Sequence, residues 1–368
     1  MNVGMLVSNE VVRDPRVLQE ARSLARRGHR IRIVGWDRFD PSVPDGPVGD
    51  GIEVVLVRSA GVMRVAPGAL FKNPLFWRRA LRLALAWPAD LWWAHDLDTL
   101  QTGVWLKRRT GRPLVFDAHE LFAQMIWDDY PRRVALAAEK LETKLLAEVD
   151  HVVTVNPALE EYYREKRVPV AVVMNCREEV AERYTPPSGT VFTVLYVGTF
   201  HRQRFVFELI EAVQRTEGVR LLMGGHKALS ADVQRACAAS ERTVFLGPVP
   251  REKVMPLTLE SHVVAAMLDP TNVNNKMGTP NKLFEAMAAG RPVLATKGTL
   301  SGNIVEALEC GLAIAYSVDA CAWAIEKLRD DSALQRAMGE RALRAAKEEY
   351  NWAAQEAKLS AVVERFST

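Results

Sequence analysis

Thr279-Pro280-Asn281-Lys282-Leu283-Phe284-Glu285-Ala286-Met287-Ala288-Ala289-Gly290-Arg291-Pro292-Val293-Leu294-Ala295 reads as a loop, a capped helix and a buried strand. Thr279 is placed to serve as N-cap and Pro280 as the first helical residue, while Gly290 followed by Pro292 supplies the stop. Lys282 and Glu285 fall at i and i+3, and Asn281 and Glu285 at i and i+4. An acid, a base and an amide therefore share one side of a helix whose opening N–H groups attract anions. That arrangement suits a phosphorylated ligand bearing hydroxyls; on its own it also describes an ordinary helix with a surface ion pair.

The same alternation of helix and short apolar strand runs outward in both directions. Strands are expected at Val3 to Val7, Ile31 to Gly35, Ile52 to Val57, Leu91 to Ala94, Leu114 to Phe116, Val152 to Val155 and Val170 to Met174, with helices between most of them. Around Cys176 to Gly189 the pattern lapses into charges and Pro186-Pro187-Ser188-Gly189, a linker composition. It restarts at Val191 to Val197 and continues through Val219 to Met223, Val244 to Leu246, Val263 to Ala266, Val293 to Ala295 and Leu312 to Ala315. The expected fold is α/β: two doubly wound Rossmann-like domains facing a cleft, with ligands at the carboxyl ends of parallel strands. Expected boundaries are 1–176, a linker over 177–190, 191–350, and a terminal helix over 351–368 that returns to the first domain. Gly4 is isolated, Gly224-Gly225-His226 lacks GxGxxG spacing and no GxxxxGK is present, which removes most support for nicotinamide and P-loop readings.

Several polar groups fall at predicted strand ends. Leu195-Tyr196-Val197-Gly198-Thr199-Phe200 is a strand entering a glycine turn, with Arg202 and Arg204 beyond it; an arginine forks two phosphate oxygens. Phe245-Leu246-Gly247-Pro248-Val249-Pro250 is a strand and turn. His95-Asp96-Leu97-Asp98 and Asp117-Ala118-His119-Glu120 follow two strands of the first half. Asp14-Pro15-Arg16 opens the first long helix, with Asp14 as cap and Pro15 at its first position.

Together these segments resemble the retaining nucleotide-sugar glycosyltransferases of family 4, of GT-B fold, in a PNKxxE variant carried by Pro280 to Glu285. The resemblance covers nearly the whole chain. It implies that Glu285 grips the ribose hydroxyls, that Arg204 and Lys282 face the diphosphate, and that His119 reaches the donor sugar; these four form the catalytic set. Gly198, Thr199, Arg202, Pro248, Val249, Gly278 and Asn281 are the implied donor-binding positions, and Asp14, Arg16, His95 and Asp96 candidate acceptor contacts. The chain departs from the family at Met277, where many relatives carry a second Glu, and at Thr199, where they carry Arg. Asn274, Asn275 and Asn281 are the nearby polar groups that could stand in for the Glu. No cofactor or metal is implied, because two cations can neutralise the diphosphate.

The chain has 368 residues, 48% of them apolar, enough for two cores, and its net charge of +3 argues against a nucleic-acid partner. Four scattered cysteines form no CxxC, and no leader or bilayer-spanning apolar run is evident, so a cytoplasmic protein is expected. Leu70 to Trp87 mixes Phe71, Phe76, Trp77 and Trp87 with Lys72, Arg78, Arg79 and Arg82, a composition shared by helices packed on sheets and by helices lying on anionic lipid. The second case would put the enzyme at the inner face of a membrane with a lipid-linked or polysaccharide acceptor. The expected activity is transfer of a sugar from a nucleoside-diphosphate donor to a hydroxyl. A nucleotide-sugar epimerase of the same architecture and a non-catalytic carbohydrate-binding protein are the alternatives.

Overall fold

The computed structural model describes residues 1–12, 14–38, 40–58, 73–127, 130–226 and 229–367. The chain divides into two compact units, Met1–Met174 with Gln355–Thr368, and Asn175–Ala354. Each is built on one sheet of mainly parallel strands flanked by helices, the Rossmann-like architecture expected of both halves.

In the first unit the strands are β1 (Asn2–Leu6), β2 (Arg30–Trp36), β3 (Gly46–Gly49), β4 (Ile52–Val57), β5 (Leu91–His95), β6 (Leu114–Ala118), β7 (His151–Thr154) and β8 (Val170–Val172). Their order is β3-β4-β2-β1-β5-β6-β7-β8, parallel throughout except for β3 against β4. Every residue of β5, β6 and β7 is buried, as strands covered on both faces require. Gly4 proves to be a packing glycine, since a Cβ there would come within 2.3 Å of the Trp92 ring.

Helix α1 (Pro15–Arg26) starts as its sequence indicates, with the Asp14 side chain accepting from Val17 N and Pro15 in the first turn. Helix α2 (Pro74–Leu85) settles the aromatic segment, of which Leu70, Phe71 and Lys72 lie outside the described residues. Phe76, Trp77, Ala80, Leu81 and Ala84 are buried. Phe76 stacks on Trp36 at 5.0 Å, and Trp77 Nε1 donates to Asp98 O at 2.6 Å. Of the two readings of this segment, the described residues favour the helix packed on a sheet, because the hydrophobic gain of Trp77, Leu81 and Ala84 is already taken by the unit's own core. Helices α3 (Leu97–Thr110), α4 (Phe122–Met125), α5 (Arg132–Leu146) and α6 (Pro157–Glu165) complete this part.

The second unit holds β9 (Phe192–Thr199), a 3-10 turn (Arg202–Arg204), α7 (Val206–Arg215), β10 (Val219–His226), α8 (Ser230–Ala238) and β11 (Thr243–Gly247). After them come α9 (Arg251–Leu259), β12 (Val263–Ala265), α10 (Val273–Met277), α11 (Asn281–Ala288), β13 (Val293–Thr296), α12 (Leu300–Ala307) and β14 (Gly311–Ile314). Its sheet runs β11-β10-β9-β12-β13-β14, all parallel. Helices α13 (Val318–Asp330), α14 (Ser332–Glu348) and α15 (Trp352–Glu364) follow. Residues 177–190, read above as a linker, run against this unit: Ala181 N donates to Ala288 O at 2.9 Å and Arg291 Nη2 to Thr185 O at 2.7 Å. From Gln355 onward the chain belongs to the first unit, where Gln355 Oε1 accepts from Met174 N and Arg26 pairs with Glu356.

The expected start of α11 is corrected by one residue. The chain stays extended from Gly278 through Pro280 (ψ 144° at both), so Pro280 is the cap residue and Asn281 the first helical one. Thr279 does not cap, and its Oγ1 is buried without a partner among the described residues. The helix end is as expected: Gly290 takes φ +64°, its N donates to Met287 O, and Arg291 N donates to Ala286 O at 2.8 Å, closing a Schellman motif. Phe284 is buried and stacks on Tyr350 at 5.9 Å, a burial worth about 1.5–3 kcal/mol.

Replacing Gly290 by Ala forces an L side chain into the left-handed region, with its Cβ 3.3 Å from Gly339 O. The expected cost is about 1–2 kcal/mol, read as a lowered melting temperature. An unchanged Tm would mean that the motif does not hold this helix end.

Candidate active site

In the first unit the carboxyl ends of β5 and β6 bring His95, Asp96, Asp117 and His119 together. Asp117 lies on β6 and His119 one residue past its end, close enough for the two side chains to meet. Asp117 is the hub. Arg16 grips both its oxygens, Nη2 to Oδ1 at 2.8 Å and Nε to Oδ2 at 3.1 Å, and Arg16 Nη1 donates to Val173 O at 2.8 Å. Glu20, one turn along α1, pairs with Arg16 at 2.9 Å. Oδ2 of Asp117 also lies 3.0 Å from His95 Nδ1 and 2.9 Å from His119 Nε2. The other ring nitrogen of His119 lies 3.2 Å from Asp96 Oδ2.

These contacts fix the charges. Burial alone would raise the Asp117 pKa, but Arg16, His119 and the hydrogen bonds from both histidines hold it well below the carboxylate range. For His119 burial would lower the pKa, and Asp96 with Asp117 outweighs it, holding the ring well above the usual imidazole range. With a carboxylate on each nitrogen, His119 is an imidazolium donating twice. Asp98 is pushed up to about 7 by burial and by Asp96, against a hydrogen bond donated by Ser8. The nearest ligand atoms of His95, Asp117 and His119 have the spacing of a metal's ligand set. Yet the shared carboxylate oxygen already accepts from three donors, one of them the Arg16 guanidinium, whose charge opposes a further cation.

In the second unit β9 and β10 pair in register to their ends, Gly198 opposite Gly225 and Thr199 opposite His226. A Cβ on Gly225 would stand 2.0 Å from Gly198 O, so the two glycines let the backbones meet. Lys282, only 7% exposed, extends to this turn: its Nζ is 3.3 Å from the Tyr196 ring centroid and has no hydrogen-bond partner among the described residues. Tyr196 donates its hydroxyl to Thr199 O at 2.6 Å. Burial, reinforced by Arg204 and opposed by Glu285, drives the Lys282 pKa well down. Burial raises that of Glu285 against Arg177, Lys282 and Arg251. Among the described residues Lys282 and Glu285 form no ion pair, which corrects the expectation that the two face one another; the lysine turns to the ring instead.

Two family models match consecutive parts of the chain, a glycosyl transferase 4-like domain over residues 14–176 and a glycosyl transferases group 1 domain over residues 191–331. The chain is a GT-B-type glycosyltransferase. Solved structures agree in fold. Sucrose-phosphate synthase from Thermosynechococcus elongatus is 18% identical, with a TM-score of 0.84 over 100% of this chain and 99% of that one. HepE from Anabaena in complex with UDP-glucose is 16% identical, with a TM-score of 0.73 over 99% and 100%. WaaG, a glycosyltransferase involved in lipopolysaccharide biosynthesis, is 15% identical, with a TM-score of 0.71 over 98% and 99%. Among curated proteins none matches the chain by sequence.

In this glycosyltransferase the residues singled out by sequence fall into two groups. His95, Asp96, His119 and Arg16 are joined in the first unit's network, but Arg16 is buried under Asp117 instead of facing outward, and Asp14 spends its side chain on Val17 N and Asn9. Gly198, Thr199, Lys282 and Tyr196 meet in the second unit, with Arg204 and Glu285 near enough to bias the lysine. Val249 packs where a Gly224 Cβ would be, and with Pro248 it lines an apolar hollow of about 350 Å³. Arg202 is exposed and lines a different hollow with Glu208 and Asp232. Gly278 ends α10, where Asn275 reaches Gln203 of the 3-10 turn at 3.4 Å, and Asn281 is exposed. Tyr196, Asp117 and Glu20 were missed. For the first two the signal is spacing, Tyr196 lying two residues before Gly198 on β9 and Asp117 two before His119 at the end of β6; for Glu20 it is the i, i+4 step from Arg16 on α1.

Arg16→Met removes the cation between two buried carboxyl groups, so it is expected to destabilise the glycosyltransferase by about 3–5 kcal/mol in urea unfolding. The raised His119 pKa contributes stability below the ordinary imidazole range that is lost as pH rises through the folded value. The depressed Asp117 contributes stability above the ordinary carboxylate range that is lost as pH falls through its folded value. His119→Gln should therefore flatten the alkaline limb of the stability profile; an unaltered limb would refute the imidazolium.

Proposed function

We propose that this glycosyltransferase transfers a sugar from a nucleoside-diphosphate donor to a hydroxyl acceptor with retention at the anomeric carbon, as a family 4 enzyme of the PNKxxE variant. The observation that carries the reading is the buried amino group of Lys282, without a hydrogen-bond partner among the described residues, against the glycine turn at Gly198, with Arg204 close by. A buried basic group without a counter-ion at a strand's carboxyl end is a site prepared for an anion. Cleavage of the donor places negative charge on the departing diphosphate, and Arg204 with Lys282 stabilises it without needing a metal. Glu285, half-buried three residues on, is assigned the ribose hydroxyls.

His119 is assigned the donor sugar, with its imidazolium charge set by Asp96 and Asp117. Retention is assigned to front-face substitution, since no second carboxylate is assigned beside the sugar, unlike the paired carboxylates of most retaining glycosidases. Pro248 and Val249 are assigned the base. HepE is described in complex with UDP-glucose and UDP, which makes UDP-glucose the first donor to try here. The acceptor is assigned to carbohydrate or lipid-linked hydroxyls. With its aromatic face buried, α2 leaves Leu75, Arg78, Arg82 and Leu85 exposed, so lipid association would rest chiefly on charge. A reducing cytoplasmic setting accords with four free, buried cysteines, and among the described residues no helix is long and apolar enough to cross a membrane.

Glu285→Gln is expected to weaken donor binding with the fold intact, and Arg204→Ala to lower turnover by about 10²–10³, the effect of losing one preorganised charge-stabilising group. Activity that survives a chelator and a product of the donor's anomeric configuration by NMR complete the expectation. Wild-type turnover in both variants, or an inverted product, would defeat the assignment.

A further inference from the structure

Lys282 is a buried group in the second unit's site whose resting state the proposed chemistry leaves unexplained. Its nitrogen needs three acceptors when charged, and among the described residues none supplies one as a hydrogen bond. What supports it is the face of Tyr196, 3.3 Å from the nitrogen. A Cβ at Gly198 would lie 3.3 Å from Nζ, so the glycine keeps that resting place open. Tyr196 is itself buried in the core cluster of the unit, and its hydroxyl is committed to Thr199 O, so its ring is fixed in orientation. One side chain thus positions both the lysine and the end of the glycine turn.

The charged groups that act on the nitrogen are Arg204 from the 3-10 turn, which repels its charge, and Glu285 from its own helix, which favours it. An aromatic face attracts a desolvated cation, but it replaces none of the hydrogen bonds lost from water. A bound diphosphate would supply both the charge and the acceptors.

We propose that Tyr196 is a positioning residue that parks Lys282, uncharged, on its ring in the donor-free enzyme, and that donor binding draws the nitrogen off the ring as it takes a proton from solvent. The Nζ lone pair accepts that proton, and the new N–H bonds turn to the diphosphate oxygens. The inference rests on the donor reading given above and adds to it a resting state and a proton count.

Calorimetric titration of the wild-type enzyme with UDP-glucose and with GDP-mannose, at pH 8 in phosphate and in Tris, tests it, because neither donor has a phosphate that titrates there. The expected result is a binding enthalpy that differs between the buffers by up to one proton's worth. Tyr196→Phe keeps the ring and should keep the difference. Tyr196→Leu should let water reach the lysine, leave it charged beforehand and abolish the difference, with a fall in kcat larger than any rise in KM. Binding with equal enthalpies in both buffers, corrected for buffer ionisation, would overturn the parking of Lys282. Proton uptake unchanged in Tyr196→Leu would overturn the role of Tyr196. If neither donor binds the wild-type enzyme, it is the donor reading itself that fails, and the parked lysine with it.

Discussion

Parallel pairing is the constraint on which the rest depends. Strands that all run the same way deliver all their carboxyl ends to one edge of the sheet, where the covering helices have not yet begun and side chains are released from packing. In the first unit β5 and β6 end on His95 to Asp98 and Asp117 to His119; in the second, β9 and β10 end on Gly198-Thr199 and Gly225-His226. Chemistry accumulates at these edges because the ladder fixes backbone positions to within hydrogen-bond tolerance while leaving the last side chains to choose their partners.

The two edges use that freedom in opposite ways. The first closes its electrostatics internally: Asp117 takes Arg16 and both histidines, Asp96 takes the far side of His119, and Arg16 also holds Glu20. Such a network resists change, since each charge would be stranded by loss of its neighbour. The second edge leaves a lysine on an aromatic ring, without hydrogen-bond acceptors among the described residues. That is costly in isolation, and the cost is the means by which an incoming anion is favoured over water.

Much of this was legible from residues alone. The strands of both sheets follow from apolar runs bounded by turn residues, and the cap of α1 and the stop of α11 follow from Asp14-Pro15 and Gly290. The misses have physical causes. β3, with sequence Gly-Pro-Val-Gly, is an edge strand made by pairing with β4 and not by its own propensity. The first helical residue of α11 was shifted because proline's φ suits both helix and extended chain, so that ψ decides. α2 looked amphipathic because it is; which solvent its apolar side meets depends on Trp36 and Asp98, far away in sequence. In the same way, spacing put Lys282 beside Glu285, but only the fold brings Tyr196 beneath it.

The first unit is discontinuous: its last stretch, from Gln355, is separated from the remainder by the whole second unit. Leu359, Val362 and Val363 in that stretch are buried, and Gln355 satisfies the amide of Met174. A chain emerging from a ribosome can therefore complete the second unit before the first, although the first begins to appear earlier. Until the residues from Gln355 onward are released, the first unit lacks a part of itself, and its assembly waits on synthesis of the whole second unit. For the same reason a simple truncation at residue 174 does not isolate it; the stretch from Gln355 has to be joined directly to the residues before 175 to encode it as one continuous piece.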